Sequence, residues 1–430
     1  MDIQESNFKK WFSVFSVGMF FFYEYIQMTI FNSIPKQLLT SFHISAFSLG
    51  KLAACYFLMQ IILLFPAGIL LDRFSVKNIV VIAMSISIIG TLLFSTAHSF
   101  YIAAFARLLS GVGGAFAFLS CIKLASQLLP KKLALAIGLL VTLAVFGGFI
   151  AQAPFAFLVA HTSWRLAIRI LSCVGILILI NIIMSIQNIK EHISNTKTIR
   201  KIFSEIKMTL TNTQTLLSGI YISLMNFPVC ILGALWGGLY LQETRHFNNI
   251  LATFIASMLF IGIIIGSPLF GFLSESIFKS RKKPMLIGAI LSLLTISLII
   301  FTDTQNIYYL STLFLLLGIV SSAQCIGYPV IVENNKIEFA ATATSVASVI
   351  IMGGSALVKI LFGWILDDYS TKIANGMTKY SAHAFQSAML ILFFGFIFAI
   401  IATFFIRETL FKGVADVCVD EKYSIDGSGV

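Results

Sequence analysis

The chain has 430 residues, of which 58% are hydrophobic and only 11% are charged. A soluble domain carries about 25% charged residues, so this composition excludes an ordinary water-soluble enzyme and indicates a chain solvated largely by lipid. The net charge of +11 does not indicate nucleic-acid binding, because the basic residues lie in short clusters between apolar runs.

Twelve apolar runs are long enough to cross a bilayer as helices. A bilayer core about 30 Å thick requires about 20 apolar residues in helical form. In lipid, each backbone amide must be hydrogen-bonded within its own segment, which makes helix the expected form. We therefore predict an all-α integral membrane protein with spans at about 11–35, 46–71, 78–97, 100–128, 133–160, 164–187, 214–241, 248–274, 285–303, 307–334, 340–366 and 382–406.

The distribution of Lys and Arg predicts the orientation of these spans. The first span follows Lys9 and Lys10 and lacks a small-residue cleavage site, so we expect it to remain in the protein. If both termini are cytoplasmic, the cytoplasmic loops and ends hold most of the 29 basic residues, as the positive-inside rule requires. We expect a multi-pass protein of a cell inner membrane with both termini in the cytoplasm.

The chain is predicted to consist of two related halves. Gly68 with Asp72 recurs as Gly271 with Glu275 at an offset of 203 residues, and the glycine pair 147–148 recurs at 353–354. Parallel repeats of helical bundles are a common plan for secondary transporters. We predict two pseudo-symmetric six-helix bundles at 1–187 and 214–406, a cytoplasmic linker at 188–213, and a disordered cytoplasmic tail at 407–430.

The loop between the second and third spans combines a glycine, an acidic residue and basic residues. A glycine lets neighbouring helices approach closely, and an acidic group at a helix end can pair with basic groups or with a helix N-terminus. The loop reads Gly68-x-x-x-Asp72-Arg73-x-Ser75-x-Lys77. This pattern resembles the loop motif of the major facilitator superfamily, which implies that Gly68, Asp72, Arg73 and Lys77, with Gly271 and Glu275 as a second copy, act in gating.

Further segments refine the resemblance. Arg107-x-x-x-Gly111-x-Gly113 resembles the fourth-span motif of the superfamily. The segments "FFYEYIQM", "GAFAFLSCIKLA" and "TSWR" are similar to the phagosomal nutrient transporters of intracellular Gram-negative bacteria, which implies import of amino acids or nucleosides. Drug exporters of the superfamily usually have a Gly-Pro pair where Ala151 and Gln152 stand here, so the resemblance favours import.

Three ionisable side chains lie well within the predicted spans: Glu24, Arg107 and Lys359. A charge near the bilayer centre costs at least about 2.5–3.5 kcal/mol, so each is expected to face a partner or water. Counted from the end of each span that is predicted to face outward, at about 1.5 Å per residue, they lie roughly 16, 10 and 12 Å deep, which is one layer.

This layer is the predicted site for substrate and protons. Arg107 can bind a carboxylate through two parallel hydrogen bonds, Lys359 can add a second contact, and Glu24 can bind an ammonium group or a coupling proton. Two alternatives remain, a structural pair of Glu24 with Arg107 and a Lys359 that extends to the interface. Uncharged polar residues assigned to the same cavity are Gln27, Gln152, Asn226 and Gln324.

These features predict a proton-coupled importer of a small zwitterionic nutrient, an amino acid above all, that works by alternating access. The alternatives are an exporter of a siderophore, metabolite or drug on the same fold, a nucleoside importer, and a membrane receptor that transports nothing. Because no phosphate-binding loop and no dense cluster of metal ligands occur, we expect no cofactor, no resident metal and no enzymatic activity. The expected partners are the substrate, protons and lipid, without nucleic acid, and the expected state is a monomer.

Overall fold

The computed structural model describes residues 7–186, 209, 211–335, 340–372 and 378–409. Most of the predicted linker at 188–213 and the tail from 410 onward lie outside the described residues, as does the side chain of Asp72. Nearly all of the described chain is helical, which confirms the predicted all-α membrane fold. The exception is an antiparallel pair of two-residue strands, Thr371–Lys372 with Thr378–Lys379.

The spans agree with the predicted runs to within a few residues. In the first half, spans 1 to 6 are Asn7–Thr29 with a 3-10 turn at Ile30–Ser33, Ala46–Arg73, Val76–Thr96, Phe100–Leu128, Leu133–Ile150 with Ala153–His161, and Trp164–Ser185. In the second half, span 7 consists of Thr213–Met225, Val229–Gly233 and Gly237–Arg245, and span 8 of Asn249–Phe272 with a π-helical turn at Leu273–Ile277. Span 9 is Lys282–Phe301, and span 10 consists of Ile307–Ser321, Ser322–Ile326 and Gly327–Glu333. Span 11 is Ala340–Asp368 and span 12 is Ala382–Phe405. A short helix, Pro35–Phe42, joins spans 1 and 2, and a 3-10 turn at Pro130–Lys132 joins spans 4 and 5.

Polar caps fix where many of the spans begin. The first amides of a helix have no partner within the helix, and a Ser or Asn side chain just before it supplies an acceptor. Side chains at this position accept a hydrogen bond from the first turn of spans 2, 4, 6, 7, 8, 10 and 12, namely Ser45, Ser99, Ser163, Asn212, Asn248, Asn306 and Ser381.

The two halves pack their helices in the same pairs. Span 1 packs against span 5, span 2 against span 4, and span 3 against span 6; spans 7 and 11, 8 and 10, and 9 and 12 repeat this arrangement. Pro66 in span 2 and Pro268 in span 8 also occupy equivalent helix positions. The halves meet along span 2 with span 11 and along span 5 with span 8.

Span 7, predicted at 214–241, is interrupted near Pro228. Eleven helical segments in the described part are long and apolar enough to cross a membrane, and span 7 is not among them. Its first helix ends at Met225 before Pro228, a π-helical turn follows at Val229–Gly233, and helix resumes at Gly237. Proline has no N–H to donate and its ring excludes the preceding turn, so the helix breaks there. Nearly all of residues 225–241 are buried, so the break lies inside protein rather than against lipid.

Glycine at position 318 is expected to be required for the packing of spans 8 and 10. A Cβ atom at residue 318 would lie 3.0 Å from the Cα atom of Gly262 on the facing helix. Gly318→Ala should therefore destabilise the protein by about 1–3 kcal/mol, the usual cost of overpacking. Thermal unfolding of the purified protein in detergent measures this loss.

Gly353→Ala is the matched control. A Cβ atom there meets no described atom within 4 Å, and alanine is the better helix former. Its melting temperature should equal or exceed that of the unmodified protein, and equal losses in the two variants would contradict the proposed packing.

Candidate functional site

Glu24 lies in the interior of the first half. Its side chain is 2% exposed and packs against Gly113 of span 4, where a Cβ atom would lie 2.6 Å from the carboxyl carbon. Ser87 of span 3 donates a hydrogen bond to Oε1 at 2.5 Å, and the Tyr56 hydroxyl of span 2 donates to Oε2 at 3.1 Å. Each carboxyl oxygen therefore has one donor, and the group is held by three neighbouring helices.

Arg107 lies beside Glu24 without forming a salt bridge to it. The guanidinium is 2% exposed and lies over the rings of Phe31 and Tyr56, with its central carbon 4.5 Å and 5.0 Å from the two ring centroids. It makes no hydrogen bond and no salt bridge with any residue whose side chain the structure describes, and its Nε atom is buried without a partner. Aromatic faces attract a cation but do not neutralise it.

Lys359 projects from span 11 of the second half towards the first half. Its side chain is 1% exposed, and its Nζ atom lies 4.1 Å from the ring centroid of Phe57. Because the whole side chain is buried inside protein, Lys359 does not extend to the membrane interface in this conformation. Within the described part of the chain it forms no salt bridge.

The three charges form one cluster at the junction of the halves. Arg107 lies within electrostatic range of both Glu24 and Lys359. Tyr56 and Phe57 are consecutive in span 2, with ring centroids 5.5 Å apart. Arg107 lies over the Tyr56 ring and Lys359 lies over the Phe57 ring. In the part of the chain that the structure describes, two hydroxyl groups donate to the acid, and aromatic rings lie against the two bases.

Gln27 belongs to the interior of the first half. Its Nε2 atom donates to Thr91 Oγ1 at 2.8 Å, and the Tyr23 hydroxyl donates to the same oxygen at 3.1 Å. Thr91 in turn donates to the main-chain oxygen of Ser87, the residue that binds Glu24. Gln27 therefore reaches the charge cluster through Thr91 and Ser87.

Gln152 lies apart from the cluster, at a contact between the halves. Its Oε1 atom accepts from Asn32 Nδ2 at 2.6 Å, and its Nε2 atom donates to the Gly233 carbonyl of span 7 at 2.9 Å. Asn32 Oδ1 also accepts from the Gly238 amide at 2.8 Å. Both polar ends of its side chain bind protein in this conformation, and its place in the substrate cavity stays a prediction.

Asn226 and Gln324 are half-buried residues of the second half. Asn226 donates to the Cys230 thiol, which donates to Ser355 Oγ at 3.0 Å, one helical turn before Lys359. Gln324 lies in the 3-10 turn of span 10 and has no hydrogen bond from its side chain to the described residues. Asn226 is thus linked through Cys230 to Ser355 of span 11. The side-chain amide of Gln324 has no hydrogen-bond partner among the described residues.

The sequence analysis missed Gln60. It lies one helical turn after Tyr56 on the same face of span 2, and its Nε2 atom donates to the Gly114 carbonyl at 3.1 Å. Its Oε1 atom is buried and has no partner. The sequence could have indicated Gln60, because it is a polar residue inside an apolar span, four residues after Tyr56 on the same helix face.

One end of the molecule is closed between the halves. We call the end where residues 34–46 connect spans 1 and 2 the closed end, and the opposite end the open end. Among the described residues, all hydrogen bonds and ion pairs between the halves lie at the closed end. They join Asn32 to Gly238, Ser33 to Asn249, Lys36 to Glu243, Ala46 to Asp367 and Tyr380, Phe47 to Asp367, and Gln152 to Gly233.

At the open end the same helices stand apart. A Cβ atom added at Gly68, Gly138, Gly271 or Gly353, one position in each of spans 2, 5, 8 and 11, would meet no described atom within 4 Å. The predicted gating residues Gly68 and Gly271 are therefore unpacked here. Arg73 is exposed and Lys77 is half-buried.

Glu275 takes part in a charged network at the open end of the second half. Arg281 donates to Glu275 at 3.4 Å and, through two nitrogens, to Glu333 at 2.8 and 3.2 Å. Burial alone lowers the pKa of Arg281, but hydrogen bonds and charge attraction from Glu333 and Glu275 outweigh it, so the pKa is raised. Thr409, beyond span 12, donates to Glu333, and Glu408 accepts from the Arg281 and Lys282 amides. Arg281, Glu333 and Glu408 were not predicted.

The comparison with family models decides the family. The model of the Major Facilitator Superfamily matches residues 15–357 and again residues 224–415. The chain belongs to the major facilitator superfamily. This major facilitator is a membrane transporter with the two-bundle fold described above.

One curated relative of this major facilitator matches part of the chain. The "Uncharacterized transporter YybO" of Bacillus subtilis (strain 168) is 30% identical over 138 residues, which make up 32% of each chain. The chain thus matches about a third of the length of this curated relative.

Solved structures share the fold. Two inward-facing structures of a bacterial homolog to the human lysosomal transporter Spinster, one unoccupied and one occupied, have TM-scores of 0.71 at 15% and 16% identity. They cover 93% and 91% of this chain, and 98% and 95% of their own. A structure of the nucleoside transporter NupG, in variant form, has a TM-score of 0.73 at 14% identity and covers 94% of this chain and 100% of its own. At these identities the likeness shows the fold alone.

Removal of Arg281 should destabilise the second half, because the variant leaves two carboxylates without their shared cation. Arg281→Ala is expected to lower the free energy of unfolding by about 1–3 kcal/mol, as for other hydrogen bonds to charged groups. Arg407→Ala is the control, since the Arg407 side chain is exposed. Thermal unfolding in detergent should separate the two variants, and coincident curves would show that the network contributes no stability.

Proposed function

We propose that this major facilitator is a proton-coupled importer of a small nutrient that carries a carboxylate, with an amino acid as the preferred substrate. The observation that carries the proposal is the pair of buried cations, Arg107 from one half and Lys359 from the other, without a carboxylate partner among the described residues. Buried charges in proteins are otherwise paired or hydrogen-bonded.

An anionic substrate would supply the missing counter-charge. The guanidinium of Arg107 matches the geometry of a carboxylate, and an ammonium such as Lys359 adds a point charge. A neutral nucleoside would leave both cations without a counter-charge. The charges therefore argue against a nucleoside substrate, and the fold shared with NupG is weaker support for one. For the ammonium group of a zwitterion, an unpartnered buried acceptor is present at Gln60 Oε1, one helical turn after Tyr56.

Glu24 is the proposed site of the coupling proton. Its carboxyl lies in a pocket without a salt bridge, where a change of protonation changes its hydrogen bonds. Tyr56 donates to Glu24 Oε2, and its hydroxyl also lies 3.3 Å from the Glu24 main-chain oxygen. Protonation of Glu24 would allow this hydroxyl to turn to the main-chain oxygen. Tyr56 thus contacts both the proposed proton site and Arg107.

The direction of transport rests on the proposed orientation. With both termini in the cytoplasm of a bacterial cell, the open end faces the cytoplasm and the conformation described here is inward-facing. The similarity of the segment "FFYEYIQM" to the phagosomal nutrient transporters supports import. An exporter of a siderophore, metabolite or drug would use the same two conformations, so counterflow measurements in vesicles are needed to separate the two directions.

Substrate binding is expected to depend on Arg107. A thermal-shift screen of amino acids, nucleosides and hydroxycarboxylates against the purified protein should give its largest stabilisation with a carboxylate-bearing compound. Arg107→Lys keeps the charge but loses the parallel pair of hydrogen bonds, so the affinity for that compound should fall roughly 10- to 100-fold.

Arg169→Lys is the control, because Arg169 is exposed at the closed end. It should bind the compound as the unmodified protein does. Stabilisation by nucleosides alone would refute the proposed substrate class, and stabilisation by no compound would favour a receptor that does not transport.

Proton coupling is expected to depend on Glu24. In liposomes, an inward proton gradient should drive accumulation of the compound identified by the screen. Glu24→Gln retains the size of the side chain but cannot take up and release a proton, so accumulation should fall to the level without a gradient while exchange of the compound persists. Asp368→Asn, a neutral substitution of an exposed acid at the closed end, should accumulate normally. Gradient-driven uptake that survives Glu24→Gln would eliminate the proton role.

A further inference from the structure

A carboxylate at the end of span 11 binds the beginning of span 2 across the two halves. The Ala46 amide donates to Asp367 Oδ1 at 3.0 Å, and the Phe47 amide donates to Oδ2 at 2.8 Å. These are the first two residues of the span 2 helix, where amides have no partner within the helix and the helix dipole attracts negative charge. Asp367 therefore caps a helix that belongs to the opposite half.

Tyr380 completes this contact. Its hydroxyl donates to Asp367 Oδ1 at 3.2 Å and accepts from the Ala46 amide at 3.0 Å. Asp367 and Tyr380 both belong to the second half, so two side chains on one side hold two amides on the other.

Close backbone packing continues from this contact towards the charge cluster. A Cβ atom at Gly363 would lie 2.8 Å from the Ala46 carbonyl carbon, and one at Gly50 would lie 3.1 Å from the Ile360 Cα atom. Lys359, Gly363 and Asp367 are spaced by four residues, so they lie along one face of span 11. The face that seals the closed end therefore also carries the cation that lies on Phe57.

Span 11 is fixed within its own half on another side. Phe362 is fully buried, with its ring centroid 5.8 Å from that of Trp236 in span 7 and 6.4 Å from that of Phe385 in span 12. The helix must then move with the second half, so that separation of Asp367 from span 2 also draws Lys359 away from Phe57.

We propose that Asp367 is the latch of the closed end and, through span 11, a positioning residue for Lys359. The carboxylate holds the two halves together at spans 2 and 11, and its release is a step in the opening of the closed end. The latch itself stands on the contacts between the halves. The significance of the Lys359 position rests on the proposed function.

The test measures the opening of the closed end without any substrate. His98 and Gln305 are exposed residues of the two halves in equivalent loops at that end. Nitroxide labels on His98→Cys and Gln305→Cys, in a variant with the native cysteines replaced, report the distance between the halves by pulsed electron paramagnetic resonance. Asp367→Asn should raise the fraction with the longer, opened distance about tenfold, as expected when one charged cap is lost from a two-state equilibrium.

Asp368→Asn is the matched control, since Asp368 is the next residue and is exposed. Its distance distribution should equal that of the unmodified labelled protein, while Tyr380→Phe should shift in the same direction as Asp367→Asn by a smaller factor. If Asp367→Asn does not fold, Gly363→Ala tests the same contact, because the added methyl group forces spans 2 and 11 apart. An unchanged distribution in the folded variants, or an equal shift in Asp368→Asn, overturns the latch.

This outcome is separate from that of the proposed function. The distance measurements require neither a substrate nor a proton gradient. If Asp367→Asn shifts the distances as expected but the protein does not transport a carboxylate, only the proposed function is refuted. If the protein imports a carboxylate but the label distances are unchanged in Asp367→Asn, only the latch is refuted.

Discussion

Two buried cations, Arg107 and Lys359, form no salt bridge in the described part of the chain. They come from different halves, they are within electrostatic range of each other, and each lies over an aromatic ring. In the low dielectric of a helix bundle their repulsion is much larger than in water. In the proposed function, an anionic substrate between the two cations would relieve this repulsion.

The contacts that hold the halves together are short-range and polar, and they lie at one end. Helix termini, asparagine and glutamine side chains and one ion pair join the halves where spans 1, 2, 5, 7, 8 and 11 meet. Each such bond contributes about 0.5–1.5 kcal/mol net, so several together can hold one conformation without making it permanent. A transporter needs this balance, since both of its conformations must be reachable.

Much of the fold and the charge cluster could be predicted from the sequence, because both depend on residue type. Long apolar runs can only be helices in lipid, and Glu24, Arg107 and Lys359 stand out as charges within them. Asp367 and Arg281 were missed because charges at span ends are common, and their roles depend on partners far along the chain, 321 residues away for Ala46. Gln152 was assigned to the cavity since its polarity is visible in the sequence but its partners are not.

The adjacency of Tyr56 and Phe57 has a mechanical consequence. Consecutive residues of a helix point about 100° apart, so one helix presents its two rings in two directions, one to Arg107 in its own bundle and one to Lys359 in the other. Rotation of span 2 about its long axis turns both rings by the same angle. A single torsional motion of one helix thus alters the environments of both cations simultaneously, with no need for a relay of intermediate side chains.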